Sequence, residues 1–253
     1  MALQNKLHQR LSNLFCTPHE RTFKIQHLTS ENVEKILALK DKYKGERCFI
    51  IGSSPSLNLL DLSKLNDEYT FTVNRGYMLK EKGLKHSTFH VISDTNTFND
   101  EESKWQEMES FSDVLFCYAG MEKPPIEIET TYFDYIQYQL NKEISFQKDM
   151  KKPLIAYQSV IHFAIQIAYY LGFKEIYLLG VDLDFAKNKG HIYQETKEES
   201  ERQLNHSIKM AQTMFKGINE CGKWLKDNNV KLLNASPSGI VDCVERVKYE
   251  DLF

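Results

Sequence analysis

The chain has 253 residues, of which 42% are hydrophobic, and a formal net charge of -3. That length suits one α/β domain, and that apolar content excludes wholesale disorder. The near-balanced charge excludes a general nucleic-acid-binding surface, although the many lysines leave room for local patches.

Five cysteines (Cys16, Cys48, Cys117, Cys221 and Cys243) are scattered, with no CxxC pair among them. This argues against a disulfide framework or a zinc knuckle, and it fits a reducing cytoplasm. No apolar stretch approaches the roughly 20 residues needed to span a bilayer. At the N-terminus, Leu3, Leu7, Leu11, Leu14 and Phe15 recur at helical spacing, with Lys6, His8 and Arg10 between them. Such a helix packs on its own domain or on a partner chain, a second copy included, or rests on an anionic membrane surface. Residues 1–44 are therefore read as a helical extension, and 45–253 as the nucleotide-binding domain.

Thr29-Ser30 followed by Glu31 starts a helix that runs to about Tyr43. Arg47–Ile51 is a short continuous apolar run, the mark of a strand buried on both faces. Further strands are expected at Tyr69–Val73, Thr88–Ile92, Val114–Cys117, Glu175–Leu179 and Lys231–Asn234. Between Gly120 and Lys152 the pattern is irregular and reads as a lid or substrate loop. Ser159–Leu171 is a helix apolar on nearly all sides, closed by Gly172. Lys187–Gln203 reads as a polar loop, and a long helix is expected from about Asn205 to Asn228.

Strands alternating with helices imply a mostly parallel sheet with helices on both faces, a Rossmann-like α/β fold. In such sheets the ligand lies beyond the carboxyl ends of the strands. Gly52-Ser53-Ser54-Pro55-Ser56, Asn74, Asp94, Gly180-Val181-Asp182, Asp184 and Ser236 all follow strands, so they share one rim. The Gly52–Ser56 turn offers backbone N–H groups and three hydroxyls, and it is either a phosphate cradle or an ordinary turn. It is neither GxGxxG nor a P-loop. Asp182-Leu183-Asp184 supplies alternating carboxylates that could hold Mg²⁺ or Mn²⁺ against a diphosphate, a pattern that also arises by chance. His191 and His206 are candidate bases for a sugar hydroxyl, whereas His162 lies in the apolar helix and reads as a core histidine.

Three stretches, Cys48–Leu57, Val73-Asn74 and Gly172–Asp182, resemble the bacterial sialyltransferases that decorate lipooligosaccharide. They also resemble the related family named after archaeal 6-hydroxymethylpterin diphosphokinase. The first resemblance implies a Rossmann-like variant of the GT-A fold, a CMP-sialic acid donor, a glycan acceptor, no required metal and a histidine base. It implies that Asn74 and Ser159 contact the donor and that His206 is the base, with His191 the alternate. The chain departs from the family pattern at Ser53 and Ser54, where asparagine and glycine are usual, and at Ala156, near an expected arginine. Asp184 stands in place of one of two phosphate-binding tyrosines, and Tyr193 serves as the other only with a shifted alignment. A carboxylate there repels phosphate unless a cation bridges them, which reopens metal use. Three functions follow: a glycosyltransferase; a pyrophosphokinase using ATP and Mg²⁺ through Asp94, Asp182 and Asp184; and a non-catalytic nucleotide-binding module of a glycan-assembly complex.

Overall fold

The computed structural model describes residues 29–93, 102–121, 123–138, 144–184, 190–192 and 197–253, with backbone alone at 102–103, 197–200, 202–204 and 206–207. The amphipathic segment at 3–15, Asp94 and Tyr193 lie outside these.

Helix α1 (Ser30–Leu39) leads to β1 (Arg47–Ile51), β2 (Thr70–Val73) and β3 (Ser87–Ile92). Helix α2 (Glu102–Glu109), β4 (Ser112–Tyr118), β5 (Glu129–Phe133), β6 (Tyr135–Gln137) and β7 (Leu154–Ala156) follow. The chain closes with α3 (Ile161–Leu171), β8 (Glu175–Leu179), α4 (Lys197–Asp227), β9 (Lys231–Asn234) and β10 (Glu245–Arg246). Eight strands form one sheet in the order β10-β9-β8-β1-β2-β3-β4-β5, with β6 and β7 paired separately. Every pairing is parallel.

The strands of the sheet's centre are apolar throughout because both faces are covered. In β1, Cys48 and Ile50 point into a core built with α1, α3 and α4. Phe49 and Ile51 point into a second core, closed by α2 and the short 3-10 segments 55–59, 62–65 and 76–82. Burying each such side chain contributes roughly 1.5–3 kcal/mol, so the central strand is fixed by packing on both sides. Helices on both faces are thus present, the long ones on one face. Thr29 caps α1, its hydroxyl accepting from the Asn32 N–H at 3.2 Å. The Asn32 side chain then clips the edge strand, donating to the Tyr132 carbonyl at 2.9 Å and accepting its N–H at 2.7 Å.

Two expectations need correction. The region 120–152 is not irregular throughout: it contains β5, the edge strand of the main sheet, and β6. The long helix begins at Lys197, not Asn205, so the C-terminal part of the expected polar loop is helical. Among the described residues no helix is long and apolar enough to cross a membrane. The described cysteines are free thiols, three of them buried, and burial pushes Cys117 up to about 12.

Candidate active site

The chain runs outward from β1 through β5, then crosses back to lay β8 against the other side of β1 and continues to β9 and β10. The order therefore reverses between β1 and β8, the point where doubly wound sheets open a crevice for a ligand. Two loops leave the sheet there: 52–57 after β1 and 180–184 after β8. Gly52 is required by their proximity, since a Cβ on it would lie 2.3 Å from the Gly180 carbonyl oxygen. Gly180 itself adopts φ 61° and leaves no room for a Cβ beside Leu57.

The three hydroxyls of the first loop are not equivalent. Ser54 donates its N–H to the Gly180 carbonyl at 3.1 Å, and its hydroxyl accepts the Asp182 N–H at 3.3 Å. Ser56 donates its hydroxyl to Asp182 Oδ1 at 2.6 Å. Both serines brace the two loops together. Ser53 keeps an N–H and a hydroxyl that no described residue takes up, and it is half-buried. Of the three serines, it is Ser53 whose donors are left for a ligand among the described residues.

Asp182 is 1% exposed and serves as the bracket of this rim. Ser56 holds one carboxylate oxygen and Ser238 donates to the other at 3.3 Å, while the Asp182 carbonyl accepts the Ile240 N–H at 2.8 Å. Ser236 joins in, its hydroxyl accepting the Val181 N–H at 3.2 Å. Arg246 holds this third loop from outside, with hydrogen bonds to the carbonyls of Ser236, Ser238, Gly239 and Val241. Nothing in the sequence marked Arg246, which lies in a short tail strand without a motif. Among the described residues no three His, Cys, Asp or Glu side chains gather as a metal site would need. Asp184 is half-buried one residue beyond the left-handed Leu183. Asp182→Ala is expected to lower stability by about 2–3 kcal/mol in chemical denaturation, with or without Mg²⁺, because the buried Ser56 hydroxyl and the half-buried Ser238 hydroxyl lose a charged acceptor. An equally stable variant that has lost a Mg²⁺ response would instead make Asp182 a metal ligand.

Asn74 leaves β2 beside the first loop. The register pairs Ile51 with Thr72, which carries Gly52-Ser53 and Val73-Asn74 out side by side. Asn74 has φ 49°, a left-handed conformation that asparagine tolerates better than most residues. A buried brace holds it: His90 Nε2 donates to the Asn74 carbonyl at 2.7 Å, and His90 Nδ1 lies 2.8 Å from the Thr72 hydroxyl. The carbonyl can only accept, so the neutral ring carries its proton on Nε2. The Asn74 side-chain Oδ1 is buried and has no hydrogen-bond partner among the described residues. A buried acceptor left open costs about 1–3 kcal/mol, which a donor reaching it would offset.

The histidines separate clearly. His162 is fully buried, facing the carbonyls of Ser159 and Met214 at 3.1 and 3.0 Å and so tying α3 to α4. His191 comes back to the first loop, since the neighbouring Ile192 donates its N–H to the Ser53 carbonyl at 2.8 Å. His206 is the tenth residue of α4, and its side chain lies outside the described residues. Ser159 follows β7 and accepts the Ile161 N–H on its hydroxyl at 3.3 Å, which starts α3. A further carboxylate was not legible in the sequence: Asp134, directly after β5, is raised to about 6 by burial. It sits at the far edge of the sheet, four strands from β1, and not at the switch point. Its signal was the alternating Glu129–Phe133 strand, hidden in a stretch that reads as irregular.

The family model for 6-hydroxymethylpterin diphosphokinase MptE-like proteins matches residues 24–188, nearly two thirds of the chain. The chain belongs to the MptE-like family. The matched span of this MptE-like chain holds the 52–57 loop, Asn74 and the 180–184 loop, and stops short of His191, His206 and Ser236. No curated protein sequence matches it. Among solved structures, the sialyltransferase CstII from Campylobacter jejuni with cytidine-5'-monophosphate superposes with a TM-score of 0.51 at 17% identity, over 80% of this chain and 85% of that one. CST-II with a trisaccharide acceptor and CMP gives 0.50 at 19%, over 79% and 86%. The MAf glycosyltransferase from Magnetospirillum magneticum AMB-1 gives 0.53 at 16%, over 90% of this chain and 39% of that one. At these identities the likeness establishes a glycosyltransferase-like fold for this MptE-like chain.

Proposed function

We propose that this protein is a glycosyltransferase of bacterial surface-polysaccharide synthesis, taking CMP-sialic acid or a similar CMP-sugar as donor and a glycan as acceptor. The observation that carries the reading is the open Asn74 Oδ1 beside the uncommitted donors of Ser53, at the switch point of the sheet. An amine or hydroxyl of the nucleoside satisfies the first, and a phosphate oxygen the second. Ser159, Gly180 and Ser236 shape the rim around the donor, with Asp94 and Tyr193 assigned by position in the chain. Catalysis is then orientation plus stabilisation of the leaving phosphate, with His206 as general base, His191 as the alternate, and no metal required. The enzyme works in the cytoplasm, with the amphipathic 3–15 stretch as its contact to a membrane surface or a second copy.

The family description favours a second reading, a pyrophosphokinase that uses ATP and Mg²⁺. The commitment of the Asp182 carboxylate to two serine hydroxyls leaves that chemistry with fewer ligands. A thermal-shift panel of CMP, UDP, GDP and ATP, each with and without Mg²⁺ or Mn²⁺, separates the two. Stabilisation by CMP that ignores metal supports the transferase. Stabilisation by ATP that requires Mg²⁺ supports the kinase, and no response to any nucleotide sinks both.

A further inference from the structure

A second cavity, of about 490 Å³, opens at the other end of the sheet. Its lining comes from the C-terminal ends of α1 and α3, the 148–151 turn and Lys174, residues that precede β1 and β8. A five-residue strand at about 3.3 Å per residue puts it roughly 15–20 Å from the Gly52 rim.

Lys40, Lys44, Lys148, Lys151 and Lys174 line this cavity against only two carboxylates, Asp41 and Asp149. Asp149 is engaged locally, accepting the Lys151 N–H at 3.1 Å. No ion pair among the described residues includes any of the five lysines. Lysines near helix C-termini ordinarily offset exposed carbonyls, but here those carbonyls are taken. The N–H groups of Asp41, Tyr43 and Gly45 donate to the carbonyls of Tyr170, Leu171 and Gly172 at 3.1, 2.8 and 3.2 Å. The positive charge is therefore left without a task inside the protein.

A second observation points the same way. Tyr170 lines the cavity, is 4% exposed, and its buried hydroxyl has no hydrogen-bond partner among the described residues. An open buried hydroxyl is costly unless something bonds to it. We propose that this cavity is a binding site for a phosphate- or diphosphate-bearing ligand, held by the five lysines and a hydrogen bond to the Tyr170 hydroxyl. The volume lies within the range of small-molecule sites and accommodates a sugar phosphate or a lipid headgroup. The cavity's chemistry is independent of what the Gly52 rim binds.

The test uses the full chain, its Lys44→Glu/Lys148→Glu double variant and Tyr170→Phe. Inorganic pyrophosphate is titrated by calorimetry at low salt, and vesicles of phosphatidylglycerol in phosphatidylcholine are co-sedimented against phosphatidylcholine alone. The lysines are exposed, so the double variant should fold with an unchanged melting temperature. The expected result is binding to one probe that the double variant weakens at least about tenfold. Loss in the pyrophosphate arm assigns a soluble phosphate, and loss confined to the vesicle arm assigns a headgroup. Tyr170→Phe should weaken the same binding several-fold while raising the melting temperature, whereas a merely structural hydroxyl would leave binding unmoved. A parent that binds neither probe, or variants that bind as the parent does, would overturn the proposal. The CMP response at the other rim is expected to be the same in all three proteins.

Discussion

His206→Ala is expected to cut turnover by about 10²–10⁴-fold while leaving donor affinity nearly intact, the signature of a lost general base. A sugar hydroxyl is a poor nucleophile until its proton is removed, and an imidazole suits that task near neutral pH. The sequence places His206 near a helix start, where the helix dipole would disfavour the imidazolium. The structure removes that support: α4 begins at Lys197, more than two turns earlier, and the dipole's influence is confined to the first turn. The assignment now rests on the resemblance to the sialyltransferases alone. His191 gains ground, because its neighbour Ile192 is bonded to the 52–57 loop at the switch point. Parent-like turnover in His206→Ala together with an inactive His191→Ala would transfer the role.

Mild acid is expected to destabilise the fold between about pH 7.5 and about pH 5, by somewhat less than the roughly 4 kcal/mol that two buried histidines contribute. His90 and His162 are fully buried, and burial pushes each down to about 4. The unfolded chain accepts those protons at an ordinary pKa near 6.5, so the stability is fully present above 6.5 and is lost as pH falls toward 4. The full shift corresponds to about 3 kcal/mol per histidine, of which about 2 is lost by pH 5. Asp134 runs the other way: raised by burial to about 6, it favours the folded state as pH falls through 6. It is partly exposed, so its effect is the smaller. Urea midpoints at the two pH values measure the net slope. His90→Gln keeps a donor for the Asn74 carbonyl and should remove about half of it, and equal midpoints in the parent would show that these histidines titrate normally.

The parts of the fold that were legible in the sequence are those whose burial is continuous. β1, β8 and β9 fall on the expected residues because each is a short apolar run ended by glycine or a turn. β5 was missed because Glu129-Thr130-Thr131-Tyr132-Phe133 is an edge strand whose polar residues mask its period. The start of α4 was missed because Lys197-Glu198-Glu199-Ser200-Glu201-Arg202-Gln203 carries no apolar stripe to reveal a helical period. The rim as a whole followed from strand order, but the direction of its side chains did not. Local spacing made Asp182 a metal candidate. Its partners Ser56 and Ser238 stand 126 and 56 residues away, and only the fold shows its carboxylate turned inward to them. The lysine cavity is assembled from three separated segments, and no local motif announces it.

The central claim is that a nucleotide binds at the switch point between β1 and β8 with Asn74 as its partner, and calorimetry of CMP against the parent and Asn74→Gly tests it most directly. Glycine accepts the left-handed backbone at this position without strain and removes only the side chain. Because the Asn74 Oδ1 is buried without a hydrogen-bond partner among the described residues, its loss should not lower the melting temperature and should raise it if anything. The expected result is CMP affinity at least about tenfold weaker in Asn74→Gly, in keeping with the loss of a buried hydrogen bond. Equal affinity in the two proteins would contradict the account and place the nucleotide elsewhere.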